Sequence, residues 1–447
     1  MNEFNLNSIS PIDGRYFEKT EVLSDYFSER ALIFYRLKVE IEYFISLCNL
    51  GIPQLKNFNP NKFDELRKIY IDFSNKDAIE IKKIEKITNH DVKAVEYFIK
   101  QKFETLGISE FKEFIHFGLT SQDVNNSAIP LSIKDFINNV YMPKIQKVLN
   151  AIDDKCQELK DVTIIARTHG QPASPTKLGK EFKVFWTRIN EQIKSLKSIP
   201  NSAKFAGAVG NFNAHKVAYP NIDWKKFGEN FIEKELELNY SFPTTQIEHY
   251  DSFAALCDNC RRINNILLDM CVDIWTYISN DYFKQKIIKD EVGSSAMPHK
   301  VNPIDFENSE GNLGLANSTF YFFSIKLTKS RLQRDLSDST VLRNIGVPFG
   351  HTLISFESLL KGLKKIYVNE VKINKDIEDN WIVVSEAIQT ILRREGYSNP
   401  YEIMKELTRS NEKVDKKSLH EFIDKLDVDN SIKNELKQIS PYNYTGI

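Results

Sequence analysis

The sequence predicts an all-α protein of three helical domains arranged around long central helices. Two stretches carry that prediction. In "CRRINNILLDMCVDIWTYI" the apolar residues Ile263, Ile266, Leu267, Met270, Cys271, Ile274, Trp275 and Ile278 recur at the three- and four-residue spacing of a single helix face. "SPTKLGKEFKVFWTRINEQIKSL" repeats the pattern with Leu178, Phe182, Phe185, Ile189, Ile193 and Leu196. A third observation is negative: no run of alternating strand residues and no glycine-rich strand-to-helix turn stands out, which argues against a doubly wound nucleotide-binding fold.

Taken in order, an N-terminal helical domain is expected over residues 1–118, a long-helix core over 119–366 and a small C-terminal helical domain over 367–447. A chain of 447 residues is past the size of a single core, so two or three domains are natural. In the core, Ser174 reads as an N-cap and Pro175 as the first turn of a helix. A helix of that length spans roughly 30–35 Å. The C-terminal helices read as shorter and more charged, with Asn399 capping a helix at Pro400 and Ser418 forming a capping box with Glu421.

The 60 basic and 61 acidic residues nearly cancel, so neither nucleic acid nor a membrane surface is expected as the main partner. Apolar stretches are broken by charge every few residues, and "MNEFNLNSIS" lacks the basic start and apolar run of a secretory signal. The five cysteines, Cys48, Cys156, Cys257, Cys260 and Cys271, are odd in number and sparse, which suits reduced thiols in a cytoplasm. "CDNC" at 257–260 lies within a helical pattern with no second ligand pair at zinc spacing, and reads as core or surface thiols.

Polar clusters interrupt the helices: "SPIDGRY" (10–16), "TNHDV" (88–92), "HFGLTSQDVNN" (116–126), "RTHGQP" (167–172), "GSSAMPHKVNPIDFEN" (293–308) and "RDLSDSTVLRN" (334–344). Each alone has a structural reading: T-S-x-D as a helix cap, R-T-H-G-Q-P as a turn between helices, "RDLSD" as a solvated face. Together they place hydroxyl, amide, imidazole and cationic groups between amphipathic helices. The loop at 293–303 fits neither of two common motifs. It lacks the second glycine of a G-x-S-x-G elbow, and Lys300 is followed by Val301 where a P-loop needs Ser or Thr.

"GSSAMPHKVNP" does match the signature loop G-S-S-x-M-P-x-K-x-N-P, and with it the sequence resembles the adenylosuccinate lyase family of bacterial type. That family sits in the superfamily that includes fumarase, aspartase and argininosuccinate lyase. The other clusters resemble the family in the same order, from about Ser10 through the C-terminal domain. The resemblance implies β-elimination of fumarate from adenylosuccinate, giving AMP, and from succinyl-aminoimidazole-carboxamide ribotide. Such chemistry wants a base for a proton beside a carboxylate, an acid for the leaving nitrogen, and fixed donors for the developing charge.

By resemblance Ser294 is the base, stabilised by Lys300 and loop N–H groups, and the loop is a lid that closes over substrate. His169 is the acid, paired with Glu307, and His90 orients substrate near the reacting nitrogen or the phosphate. Thr120, Ser121, Gln246, Ser295, Lys300 and Asn302 match the succinyl-binding positions. Arg15, Tyr16, Arg334, Ser339 and Arg343 match the phosphate-binding ones, with Asp91 and Asn308 nearby. Asn89, Val301, Thr340, Val341 and Leu342 complete the implied substrate-contacting set. No metal cluster appears and the elimination needs none, so neither a metal nor a cofactor is expected. The resemblance also implies a homotetramer with each site built from three subunits. The alternative is another fumarate-releasing lyase of the superfamily: fumarase and aspartase substrates carry no phosphate and would leave Arg15, Arg334 and Arg343 without a task, and argininosuccinate lyase shares the loop but reads differently around "TNHDVKAVEYF" and "RDLSDSTVLRN". An inactive helical scaffold would be free to lose Ser294, His169, Lys300 or Glu307, and all four are present.

Overall fold

Helix α1, Glu29–Asn49, is buried on nearly every side, because apolar residues occupy positions all around it rather than one stripe. Leu37, Val39, Ile41, Tyr43 and Leu47 are all fully enclosed. Burying a side chain of this size stabilises a fold by about 1.5–3 kcal/mol. The computed structural model describes residues 6–287, 297, 299–408 and 414–447. Around α1 pack α2 (Asn75–Thr88), α3 (Asp91–Thr105) and α4 (Ser121–Phe136). Phe44 meets Phe103 and Phe58 edge to face, and Tyr43 meets Phe205, Phe227 and Phe231.

Beyond these come α5 (Met142–Glu158), β1 (Thr163–Thr168), β2 (Gln171–Lys177), α6 (Leu178–Lys197) and α7 (Asp251–Ser279). The remaining principal helices are α8 (Ile304–Lys326), α9 (Ser337–Leu342), α10 (Gly346–Lys365), α11 (Glu370–Asp379), α12 (Ser385–Arg394), α13 (Pro400–Thr408), α14 (Lys416–Asp424) and α15 (Asn430–Gln438). The fold is mainly helical, as expected, with three short two-stranded ladders among the described residues. Two compact units interleave along the chain. Unit one takes Met1–Gln146, Gln192–Asn265 and Gly311–Glu357; unit two takes Lys147–Glu191, Ile266–Glu310 and Ser358–Ile447.

The helix faces read from the sequence are largely those that are buried. All six apolar residues assigned to α6 are buried, and so are Ile263, Leu267, Met270 and Ile274 of α7. Trp275 departs from its assignment: it is 44% exposed, and its indole N–H donates to Glu307. Cys257 and Cys260 are core thiols of α7, and burial pushes the Cys260 thiol up to about 12.

Three local assignments need correction. Ser174 and Pro175 lie in β2 and not at a helix start, and α6 begins only at Leu178. Prolines at 172 and 175 are tolerated because a two-stranded ladder has outer edges that need no N–H. Ser174 donates its hydroxyl proton to Glu386, so the hydroxyl has a tertiary partner instead of a capping one. For the same reason "RTHGQP" is a turn between strands, not between helices. Finally, Asp415 and not Ser418 caps α14: the Ser418 N–H donates to the Asp415 carboxylate at 2.8 Å, and Ser418 itself stands at the third helical position.

Candidate active site

In unit one several of the side chains singled out in the sequence stand at helix termini. Asn89 closes α2 in the left-handed region, with φ of +50°, and turns the chain directly into α3. His90 caps α3: its Nδ1 accepts the Lys93 N–H at 3.1 Å, so Nε2 carries the proton of the neutral ring. The His90 side chain is half exposed. Asp91 follows, accepting from the Val92 N–H at 2.9 Å, from Arg36 at 2.7 Å and from Arg343 at 2.9 Å. Burial pushes its carboxyl upward, but Arg36, the Val92 N–H and Arg343 outweigh that and hold it at about 2.

The loop leading into α4 is held at both ends. His116 Nδ1 lies 2.5 Å from Glu40 Oε1, and the Thr120 N–H donates to Asp123 at 2.9 Å. Asp123 is fully buried; it also accepts the Ala206 and Gly207 N–H groups and pairs with Lys204 at 2.7 Å. The T-S-x-D cap is therefore real, and it leaves Thr120 and Ser121 half-buried at the head of a sixteen-residue helix.

Arg334 donates to Ser339 Oγ at 2.6 Å, to Asp338 at 3.2 Å and to Gln246 Oε1 at 3.4 Å. Arg343 donates to Glu29 at 2.7 Å as well as to Asp91. A cleft of about 860 Å³ opens among these groups. It gathers Asn89, His90, Asp91, Ser121, Arg334, Ser339, Thr340 and Arg343 from the residues singled out in the sequence. Thr120 and Gln246 join it through Ser121 and Arg334. Val341 is half-buried and Leu342 buried, so Leu342 faces the interior. Arg15 and Tyr16 do not line this cleft. They form a turn of their own, in which the Arg15 guanidinium lies 5.8 Å from the Tyr16 ring.

Sequence reasoning missed Lys82, Lys86, Gln122, Asn125 and Asn344, which also line the cleft. Asn125 was within reach: it sits four residues after Ser121, on the same helix face. Lys82 and Lys86 are one turn apart on a helix whose end was already singled out.

Unit two carries the groups assigned to proton transfer. Thr168 pairs with Gln171, which leaves His169 and Gly170 as a two-residue turn with φ of +53° and +74°. Positive φ at both positions marks a type I′ hairpin, whose twist matches that of its strands. Gly170 takes this shape freely, but His169 is a non-glycine residue held in a sparsely populated conformation, as happens at sites where geometry serves a function. The hairpin is pinned by Arg167, which donates to Asp376 of α11 at 2.9 Å, and Tyr282 donates to the same carboxylate. His169 stands exposed at its tip.

Glu307 lies in the first turn of α8, exposed, and accepts from Trp275 at 3.1 Å. Among the described residues it makes no hydrogen bond to His169. Asn308 accepts from Ser358 at 2.8 Å. Lys300 is exposed, its N–H bonded to the Met297 carbonyl, and Gln285 donates to the Val301 carbonyl at 2.9 Å. Asn302 is half-buried. Ser294 and Ser295 lie outside the described residues.

A family model described as a lyase matches residues 14–316, and one described as adenylosuccinate lyase C-terminal matches 330–445. The chain is 57% identical to adenylosuccinate lyase of Dictyostelium discoideum, across 99% of this chain and 97% of that protein. It belongs to the adenylosuccinate lyase family. Identity to adenylosuccinate lyase of Legionella pneumophila (strain Corby) is 50% and to that of Escherichia coli (strain K12) 44%, each across 99% of this chain and 97% of the relative. A fumarate lyase from Mesorhizobium sp. BNC1 shares the fold, with a TM-score of 0.73 over 95% of each chain at 16% identity. A 3-carboxy-cis,cis-muconate lactonizing enzyme from Pseudomonas putida does so with a TM-score of 0.72, over 97% of this chain and 96% of that one, at 15% identity. Among the described residues, no helix is long and apolar enough to cross a membrane.

Proposed function

We propose that this chain cleaves adenylosuccinate to AMP and fumarate, and succinyl-aminoimidazole-carboxamide ribotide to fumarate and the carboxamide ribotide. Family membership supports the reaction class. The observation that supports a phosphorylated substrate is the cleft itself, where Arg334, Ser339 and Arg343 converge beside the start of α4. Guanidinium forks and a hydroxyl suit phosphate oxygens. The head of α4, at Thr120 and Ser121, suits a carboxylate, because its N–H groups carry the positive end of the helix dipole.

In this reading Ser294 removes a proton from the carbon next to a succinyl carboxylate, producing an aci-carboxylate dianion. That charge is met by Ser295, Lys300 and Asn302 and by the donors at Thr120, Ser121 and Gln246. The C–N bond then breaks, its electron pair stays on nitrogen, and His169 supplies the proton. His90, fixed by capping α3, presents Nε2–H to substrate. Arg15, Tyr16, Asp91 and Asn308, with Asn89, Val301, Thr340, Val341 and Leu342, complete the proposed contacts. The active enzyme is proposed to be a cytoplasmic homotetramer whose sites draw residues from three subunits.

The phosphate part of this reading is tested with the dephosphorylated nucleoside of adenylosuccinate. It is expected to lose on the order of 100-fold or more in kcat/KM against adenylosuccinate, since it forgoes two charge-assisted contacts. Equal turnover of the two would overturn the assignment of Arg334 and Arg343.

A further inference from the structure

Arg36 was not among the residues singled out in the sequence, and it does not line the cleft. It sits in the middle of α1 and is only 2% exposed. A buried guanidinium is costly unless paired, so its partners are informative. Its Nη2 donates to Asp91 Oδ2 at 2.7 Å, and its Nε donates to Asn125 Oδ1 at 2.8 Å. One side chain thereby ties together the start of α3 and the second turn of α4, the two helices whose N-terminal ends border the cleft. The oxygen that Arg36 holds is shared: Asp91 Oδ2 also accepts from Arg343 Nη2 at 2.9 Å.

We infer that Arg36 is a positioning residue for phosphate recognition: it neutralises Asp91, so that Arg343 keeps its charge and its place for the substrate's phosphate. The inference rests on the functional reading above, which makes Arg343 a phosphate contact. The charges around Arg343 support it. Arg343 also meets Glu29 at 2.7 Å; Lys82 meets Glu29 at 3.0 Å and Glu85 at 2.6 Å. Arg343 is thus shared between Glu29 and Asp91, and Lys82 between Glu29 and Glu85, while Arg36 holds Asp91 from the interior. Removing Arg36 leaves Arg343, among the described residues, as the remaining guanidinium on Asp91 Oδ2, which draws it toward that carboxylate and away from an approaching phosphate dianion. That shift weakens phosphate binding and does not touch the proton-transfer groups.

The geometry also offers a way to restore the missing group. Arg36 Nη1 has no hydrogen-bond partner among the described residues. A cavity of about 90 Å³ adjoins it, lined by Glu29, Gln122, Asn125, Ser132 and Arg343. A truncated Arg36 would open into this cavity, which gives a free guanidinium ion a route to Asp91.

The test compares wild type, Arg36→Met, Arg343→Gln and the double variant, by calorimetric binding of AMP and by cleavage of adenylosuccinate. Arg36→Met is expected to weaken AMP binding and raise KM by about tenfold or more, with kcat within a few-fold of wild type. Because Arg36 acts through Arg343, the double variant should bind AMP no more weakly than Arg343→Gln alone. Millimolar guanidinium should partly restore AMP binding to Arg36→Ala. Should the methionine variant not fold, Arg36→Lys, which keeps a charge but cannot reach Asp91 and Asn125 together, serves the same comparison with a smaller loss. Unchanged AMP binding in folded Arg36 variants would overturn the inference, and so would losses that multiply in the double variant. A wild type that binds AMP yet releases no fumarate would overturn the functional reading and leave the role of Arg36 at the phosphate intact.

Discussion

His215 is buried beneath the loop that leads to Thr120, and its surroundings allow it a single protonation state. The Tyr43 hydroxyl donates to the Phe117 carbonyl at 2.6 Å, so His215 Nε2–H must be the donor toward Tyr43 at 3.0 Å. Nδ1 has no partner among the described residues, and a proton there would bury a charge. Burial therefore lowers the imidazole to about 4, with Asp123 opposing and Lys204 assisting. Since the folded value lies below the unfolded one, the unfolded chain takes up a proton first as pH falls. Stability is complete above about pH 6.5 and declines toward pH 4, by on the order of 3 kcal/mol for this group. Urea denaturation of wild type at pH 7.5 and pH 4.5 should show that loss, and His215→Gln should flatten it. At the proposed chemistry, His169→Ala is expected to lower kcat by 10²–10⁴-fold, roughly the contribution of a positioned acid, while leaving far-UV circular dichroism unchanged. Residues of this second kind could be proposed from the sequence because their types and order match the chemistry. His215, Arg36 and Lys204 were not, since no spacing distinguishes a charged residue on a solvated helix face from one enclosed by partners distant in the chain.

Among the elements, the helices were the most legible part, because a 3.6-residue period leaves the same mark wherever one face is buried. Leu178 through Leu196 shows it, every assigned residue being buried. The hairpin was not legible. Ser-Pro ahead of an apolar helix reads as a cap, and the same two residues serve as well on the free edge of a two-stranded ladder. Two predictions belong at this scale. Gly118 has φ of +67°, and a Cβ there would lie 2.9 Å from the His215 ring. Gly118→Ala should therefore destabilise unit one by about 2 kcal/mol or more, as read from the denaturation midpoint. Lys204→Met leaves Asp123 buried without its cation and should cost about 3–5 kcal/mol. It should also impair catalysis, because Asp123 holds the N–H groups of both Thr120 and Ala206.

For the molecule as a whole, the order of the polar clusters was the legible feature, and their assembly was not. Unit one holds the cleft with Arg334, Ser339 and Arg343, while unit two holds the His169 hairpin, Lys300 and Glu307. If sites are shared among chains, as proposed, Ser294→Ala and His169→Ala should each have lost most of the wild-type activity. Mixed under conditions of subunit exchange, the two should regain part of the wild-type rate, because some sites then combine an intact serine with an intact histidine. No recovery, with tetramers intact and exchange demonstrated, would count against shared sites.

The most direct test of the whole account is to incubate the purified protein separately with adenylosuccinate, argininosuccinate, malate and aspartate, and to measure fumarate and its co-product by mass. Equimolar fumarate and AMP are expected from adenylosuccinate, and no fumarate from the other three. Fumarate from one of the others in place of adenylosuccinate, or from none of the four with the protein folded, would contradict the account.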